Sequence, residues 1–370
     1  MKVIIAAAGT AGHINPGLSI ANKIKEEEPN SEIIFIGTVR GLEKDLVPRA
    51  GYELKTIDAY GLNLKKPIQL LKTLKGFGEA KRIIKEFKPD LVIGTGGYIC
   101  GAVITEANKL KIPTLLHESN AFPGKAVKML SKRTDCIMVG FKEAKDRLAK
   151  AKKVVVTGNP TKMRDLNLSK DKKEKIIKEL GLNSNKPILL VFGGSQGAKA
   201  INDSVIKIVK EGANKNYQII WAPGPIQYNV IKEELEKNNI DIENIENTKV
   251  FPYIYNMDQI MNISDLFICR AGAMTINEVS IVGKPAIFVP LPGVSQNHQE
   301  YNARVLERID AAKIILNQDL ESTDLNKYVE DIIYNKELLE QMGKKAKKVS
   351  NTDALDIIYK EIKETLLHKC

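Results

Sequence analysis

Short apolar runs recur along the chain, each followed by a stretch whose apolar positions fall at helical spacing. Lys2–Ala7, Glu32–Gly37, Asp90–Ile93, Thr114–His117 and Cys136–Val139 read as buried strands, because their apolar residues are continuous rather than alternating. Asn15–Glu27 reads as a helix with Pro16 in its first turn, where a missing N–H is harmless. This alternation of strand and helix predicts an α/β protein with parallel sheets covered on both faces.

The second half of the chain repeats the first. KVIIAAAGTAGHINPGLSIANKI from Lys2 is matched by PILLVFGGSQGAKAINDSVIKIV from Pro187, and DLVIGTGG from Asp90 by DLFICRAG from Asp265. Each of the latter is followed by a helical Glu (Glu106, Glu278) and then a Pro (Pro113, Pro285) that opens another strand. Two copies of one doubly wound, Rossmann-like unit fit this pattern. Their junction is expected near Thr157–Pro160, after a strand at Val154–Val156, with the lysine-rich run Ser169–Lys178 leading into the second copy. The expected domains are therefore 1–161 and 162–352, with an amphipathic helix in 353–370 packing back on the first. Ligands of such sheets bind at the carboxyl ends of the strands, so two facing units would make a cleft.

The stretch Ser264–Glu278 carries the most chemistry. A strand at Leu266–Cys269 runs through Arg-Ala-Gly-Ala into a helix, aiming that helix's first N–H groups at one point suited to a phosphate. Arg270 adds a fork of donors, and Glu278 can accept from a diol such as a ribose. An ordinary strand–helix turn is the plain alternative for this stretch alone.

Composition narrows the field. At 370 residues and 43% hydrophobic content the chain has room for two cores, and no apolar run is long enough to span a bilayer. Cys100, Cys136, Cys269 and Cys370 are scattered and read as thiols of a reducing compartment. The formal charge of +11 admits nucleic acid, an anionic membrane surface or phosphorylated substrates. With 6% aromatics and no finger or RNA-binding signature, nucleic acid is set aside.

Four glycine-rich turns follow strands: Gly9–His13, Gly94–Tyr98, Gly193–Gly197 and Arg270–Gly272. One alone says little, since glycine serves any sharp strand-to-helix turn; four at matched places point to phosphorylated ligands. None is a P-loop, and the first turn lacks the glycine spacing of a dinucleotide fingerprint. No Asp-x-Asp pair occurs, so no metal site is expected, and Ser195, Lys162, Arg270 and the helix N-termini are the candidates to neutralise a leaving diphosphate. His13 is a candidate general base, though an isolated His is commonly a structural hydrogen-bonder. Glu118 and Asn120, ending another strand, are candidates to orient or accept a hydroxyl, or else to cap the next helix. In Lys65–Lys88, Leu70, Leu71, Leu74 and Phe77 lie at helical spacing among lysines. That pattern suits a helix resting on an anionic bilayer or one packed on its own sheet.

Gly9-Thr-Ala-Gly-His13, Gly96-Gly97-Tyr98, His117-Glu-Ser-Asn120, Gly158-Asn-Pro160, Gly193-Gly-Ser-Gln-Gly-Ala198, Cys269-Arg-Ala-Gly-Ala-Met-Thr-Ile-Asn-Glu278, His298-Gln299 and Asn302-Ala303 occur in order. Together they resemble the MurG family of GT-B glycosyltransferases (family 28), over nearly the whole chain. The resemblance implies an inverting hexosyltransferase that moves GlcNAc from UDP-GlcNAc to the 4-hydroxyl of MurNAc in undecaprenyl-linked lipid I. The product is lipid II, for peptidoglycan biosynthesis and hence cell shape and division. It implies that the second unit binds the donor: Ile254 at uracil, Glu278 at ribose, Ser195, Gln196, Arg270, Ala273, Met274 and Thr275 about the phosphates, and His298 and Gln299 at the sugar. Thr10, Ala11, Gly12, Asn120 and Lys162 contribute to the same ligand. Gly9, Gly12, Gly96, Gly97 and Tyr98 would hold the acceptor diphosphate, with His13 as base and Glu118 and Asn120 beside it. It further implies no cofactor, a peripheral place on the cytoplasmic face of the cell membrane through Leu70, Leu71, Leu74 and Phe77, and other cell-wall synthesis proteins as candidate partners. The chain departs from the family pattern at Ala8, Ala11, Cys100, Ala102, Lys162 and His298. A different GT-B enzyme, such as a glycolipid glucosyltransferase or a UDP-GlcNAc 2-epimerase, and a non-catalytic scaffold are the competing readings.

Overall fold

The computed structural model describes residues 1–59, 67–194 and 196–367, with the backbone alone at 67–72 and 295. Ser195 and the side chains of Leu70 and Leu71 thus lie outside the described residues. The chain divides into two compact units, Met1–Lys162 with Asn351–Cys370, and Met163–Ser350.

The first unit holds a seven-stranded sheet. Its strands are β1 (Lys2–Ala7), β2 (Glu32–Gly37), β3 (Glu53–Thr56), β4 (Leu91–Gly96), β5 (Thr114–Glu118), β6 (Cys136–Val139) and β7 (Val154–Val156). The second holds a six-stranded sheet of β8 (Ile188–Phe192), β9 (Gln218–Ala222), β10 (Thr248–Val250), β11 (Leu266–Cys269), β12 (Ala286–Phe288) and β13 (Ala312–Ile314). Their orders are β3-β2-β1-β4-β5-β6-β7 and β10-β9-β8-β11-β12-β13. Every pairing is parallel, Ile4 lying between Ile34 and Val92 as Leu190 lies between Ile220 and Phe267. The six strands of the second order match the first six of the first, with β7 added at its edge, so the repeat in the sequence is a repeat of topology. In each sheet the order reverses beside the first strand, at β1/β4 and at β8/β11, and such switch points leave a crevice at the carboxyl ends.

The continuous apolar runs follow from burial on both faces. Ile4 and Ala6 meet one core, with Ile83, Ile84, Ile99 and Val103 of the helices Pro67–Phe87 and Ile99–Lys109. Val3, Ile5 and Ala7 meet the other, with Ile14, Ile20 and Ile24 of the helix Ala11–Glu27 and with Ile358 and Ile362 of the C-terminal helix Ala354–Leu367. Each such isoleucine or valine side chain contributes about 1.5–3 kcal/mol on burial. Polar contacts only fix the angle of the C-terminal helix: Tyr359 donates to Glu28 at 3.0 Å, and Lys363 reaches the same carboxylate at 2.7 Å.

The helix expected from Asn15 begins at Ala11, so Pro16 lies in its second turn rather than its first. The backbone turns into the helix already at Gly9, whose φ of 100° is open to glycine. As a result Gly12 and His13 belong to the first helical turn. In the helix Pro67–Phe87, Leu74 is exposed, whereas Phe77 is half-buried against its own sheet's core with Lys109 Nζ 5.9 Å from its ring. Phe77 is therefore a packing residue, because its ring already has an apolar partner; this corrects its expected place in an apolar surface patch.

Candidate functional site

In the first unit the turns after β1 and β4 lie side by side. A Cβ at Gly96 would collide with the His13 ring, and one at Gly97 would come within 2.6 Å of the Ala8 carbonyl. Those glycines let the two turns touch. Thr95 Oγ1 donates to the His13 carbonyl at 2.8 Å, tying the helix start to β4. The His13 ring is fixed by Nδ1, 3.2 Å from Ala8 O. A carbonyl only accepts, so Nδ1 carries the proton, and in the neutral ring Nε2 is the basic nitrogen. Thr10 caps the helix Ala11–Glu27 through its backbone alone, which leaves Ala11 and Gly12 at the positive end of the dipole. Tyr98 sits partly exposed at the start of the helix Ile99–Lys109, and Lys162 is exposed at the end of the unit. Cys100 bonds weakly to Gly96 O at 3.2 Å and Ala6 O at 3.4 Å, and burial pushes its thiol up to about 12. It is a packing thiol.

Glu118 ends β5 and is buried. Its Oε1 accepts from the Asn120 amide N–H at 2.9 Å and from Asn120 Nδ2 at 3.0 Å, and its Oε2 from Gly124 N–H at 2.7 Å. With three donors on it, the carboxylate shapes the 118–124 turn and leads into the helix Lys125–Leu130. The same contact orients Asn120, turning its Oδ1 away from Glu118. His117 is fully buried, with Nε2 3.1 Å from Gly158 O and Nδ1 3.3 Å from Ser119 Oγ. Burial holds its pKa down at about 4, so it is a neutral structural link between β5 and β7.

One residue at this end escaped the sequence reading. Glu43, fully buried, accepts from Gly9 N–H at 2.9 Å, Thr38 N–H at 2.9 Å and Thr38 Oγ1 at 2.7 Å. Gly9 therefore spends its amide inside the protein and is a hinge of the turn, not a donor to an anion. This corrects its expected phosphate contact. The sequence offers only a weak signal, Gly37 and Gly41 preceding the acid in Gly37-Thr-Val-Arg-Gly-Leu-Glu43.

In the second unit, Gly193–Gly197 leads from β8 into the helix Lys199–Glu211, and Gly197 lies so close to Pro223 O that no side chain fits. After β11, Gly272 caps the helix Ala273–Val282, with Met274 and Thr275 partly exposed in its first turn. Arg270 points its Nη1 at Val289 O (3.0 Å), Pro290 O (3.3 Å) and Asn317 Oδ1 (2.8 Å). Its buried Nε has no hydrogen-bond partner among the described residues, and burial lowers its pKa. The cation thus braces the ends of β12 and β13. Glu278 is only partly exposed, and desolvation raises its pKa to about 7. Gln299 accepts from Leu291 N–H at 2.9 Å, and His298 shares its helical turn. The preceding Gln296 and Asn297 hold left-handed φ of 58° and 50°, uncommon for Gln. Ile254 is buried between the exposed Tyr253 and Tyr255, whose rings stand 4.9 Å apart, and Gln196 is exposed in its turn. Among the described residues, no three His, Cys, Asp or Glu side chains gather as a metal site.

Two doubly wound units with glycine turns at both switch points define the GT-B fold class. Residues 3–139 match the glycosyltransferase family 28 N-terminal domain and residues 188–358 its C-terminal domain. A relative from Acetivibrio thermocellus, named UDP-N-acetylglucosamine–N-acetylmuramyl-(pentapeptide) pyrophosphoryl-undecaprenol N-acetylglucosamine transferase, is 44% identical over all of this chain and 99% of its own. One of the same name from Listeria welshimeri is 39% identical over 96% of each chain. The crystal structure of Acinetobacter baumannii MurG superposes with a TM-score of 0.77 at 28% identity, over 98% of this chain and 99% of that one. The UDP-GlcNAc 2-epimerase of Neisseria meningitidis shares the fold, at a TM-score of 0.65, 16% identity and 100% coverage of both chains. The chain belongs to glycosyltransferase family 28, in its MurG branch.

Proposed function

We propose that this enzyme transfers GlcNAc from UDP-GlcNAc to the 4-hydroxyl of MurNAc in undecaprenyl-pyrophosphoryl-MurNAc-pentapeptide, making lipid II for peptidoglycan. The observation that carries the reading is likeness to transferases of that name along nearly the whole of both chains. His13 acts as the base. Its Nδ1–H is held by Ala8 O, so Nε2 takes the proton of the attacking hydroxyl. That oxygen bonds to C1 of GlcNAc as the C1–O bond to UDP breaks, inverting the anomeric centre. Charge growing on the departing diphosphate meets the N-terminus of the helix Ala273–Val282 and the unmated Nε of Arg270. Glu278 receives the ribose hydroxyls, the backbone at Ile254 the uracil, and Gln299 with His298 the sugar. Ala11, Gly12, Gly96, Gly97 and Tyr98 hold the acceptor diphosphate, and Asn120, aimed by Glu118, positions its sugar. No described helix is long and apolar enough to cross a membrane. Leu74, exposed among lysines, supports a peripheral seat on an anionic membrane face, which we take as the cytoplasmic one.

Complementation of a conditional mutant lacking the transferase tests this reading in cells. Wild-type chain restores growth and lipid II, whereas His13→Ala and Glu278→Ala do not. Rescue by both variants would leave a non-catalytic scaffold. Conversion of UDP-GlcNAc alone to UDP and ManNAc would make the enzyme an epimerase.

A further inference from the structure

We infer that Glu43 is a positioning residue for the acceptor, setting the shape of the turn that receives its diphosphate; the inference rests on the acceptor reading of that turn. Four features converge on this carboxylate. It is fully buried, so leaving it unpaired would be strongly unfavourable. Its two oxygens divide their work. Oε1 accepts from Thr38 N–H (2.9 Å) and Thr38 Oγ1 (2.7 Å), while Oε2 accepts from Gly9 N–H (2.9 Å). Gly37 and Gly41 leave the space it fills: a Cβ at Gly37 would come within 2.6 Å of its Cγ, and one at Gly41 would collide with its carboxylate. The return contact, Leu42 N–H to Gly9 O at 3.2 Å, closes the pairing from the other side.

Gly9 is thus gripped on both its backbone groups by the segment that carries Glu43. That grip fixes the φ of 100° at which the chain leaves β1, and so the direction in which Ala11 and Gly12 present their amides. A carboxyl group suits the position because all three of its partners donate to it. A glutamine of the same size cannot reproduce it. If its carbonyl keeps the two Thr38 donors, its NH2 faces the Gly9 N–H, donor against donor. Glu43→Gln therefore releases Gly9 while preserving volume, and Thr38→Val weakens the same grip more mildly by removing one donor.

The test is steady-state kinetics on both variants, together with titration by a short-chain prenyl diphosphate without donor. We expect Glu43→Gln to raise the acceptor KM and the prenyl diphosphate Kd at least tenfold, with a clearly smaller rise in the donor KM and UDP affinity within twofold of wild type. Thr38→Val should shift the acceptor values the same way by a smaller factor. A merely structural role would lower the amount of folded enzyme and move neither substrate's KM selectively. Unchanged acceptor constants in folded Glu43→Gln, or equal rises for both substrates, would overturn the inference. Hydrogen exchange across residues 7–14 reads the brace itself: Glu43→Gln should speed it at least tenfold, and no change would overturn the inference at its root. Wild-type enzyme that bound no prenyl diphosphate would instead sink the acceptor reading, leaving exchange to decide the role of Glu43.

Discussion

Glu278 offers the sharpest test of how this fold holds a nucleotide. Although the residue is partly exposed, its carboxyl is desolvated with no donor or cation among the described residues to offset that cost, and its pKa rises from 4.5 to about 7. Because the folded-state pKa lies above the unfolded one, the folded protein binds the extra proton between those values, and stability falls as pH rises through that window. The shift corresponds to about 3 kcal/mol at pH 8 and under about 1 kcal/mol at pH 5. Glu278→Gln removes the charge but keeps the shape. It should raise the melting temperature of the second unit by about 6–12 °C at pH 8, at about 2–4 °C per kcal/mol for a unit of this size, and by far less at pH 5. The same variant should bind UDP about 10–100-fold more weakly, because a ribose diol donates to a carboxylate with about 1.5–3 kcal/mol of charge-assisted bonding that an amide does not match. Calorimetry of both proteins at the two pH values, with and without UDP, measures both effects. A variant no more stable than wild type at pH 8 would refute the burial argument. Stabilisation with unchanged UDP affinity would keep the burial but place the ribose elsewhere.

Other expectations rest on the first unit. His13→Ala should lower kcat by about 10²–10⁴ with UDP affinity unchanged, and a loss below tenfold would move the base to another group. Gly96→Ala drives a methyl into the His13 ring, so it should lower kcat by at least tenfold while UDP still binds; full activity would contradict the turn-on-turn contact. His117, held at about 4 against an ordinary 6.5, binds its proton more readily in the unfolded chain. It should withdraw about 3 kcal/mol of stability as pH falls from 6.5 to 4, and denaturant midpoints of His117→Gln should lack that slope. Ile362→Ala should destabilise the first unit by about 2–5 kcal/mol, read by denaturant unfolding, with UDP affinity intact.

The architecture was legible because parallel strands buried on both faces leave uninterrupted apolar runs. Cys136–Val139, Val154–Val156 and Leu266–Cys269 read correctly to the residue. The internal repeat was legible because both copies keep their glycines where strand turns into helix. Helix starts were harder. Pro16 suggested an entry at Asn15, but a proline in the second turn was tolerated and the backbone had already turned at Gly9. Short edge strands such as β3, with the burial of a surface element, left little apolar signal at Glu53–Thr56. Of the site, sequence could nominate side chains but not their partners. Whether Glu118 meets substrate or three N–H donors, and whether Arg270 faces a phosphate or the carbonyls of Val289 and Pro290, depends on chain segments far apart in the sequence. Glu43 was missed for the same reason, since its role exists only once Gly9 is beside it.

The most direct test is transfer from UDP-[¹⁴C]GlcNAc to a short-chain lipid I analogue, with the product linkage determined by NMR. The account predicts one labelled disaccharide product joined β(1→4) to MurNAc, with UDP released in equal amount. UDP-GlcNAc left intact by folded enzyme in the presence of that acceptor, or label appearing on any other hydroxyl, would contradict it.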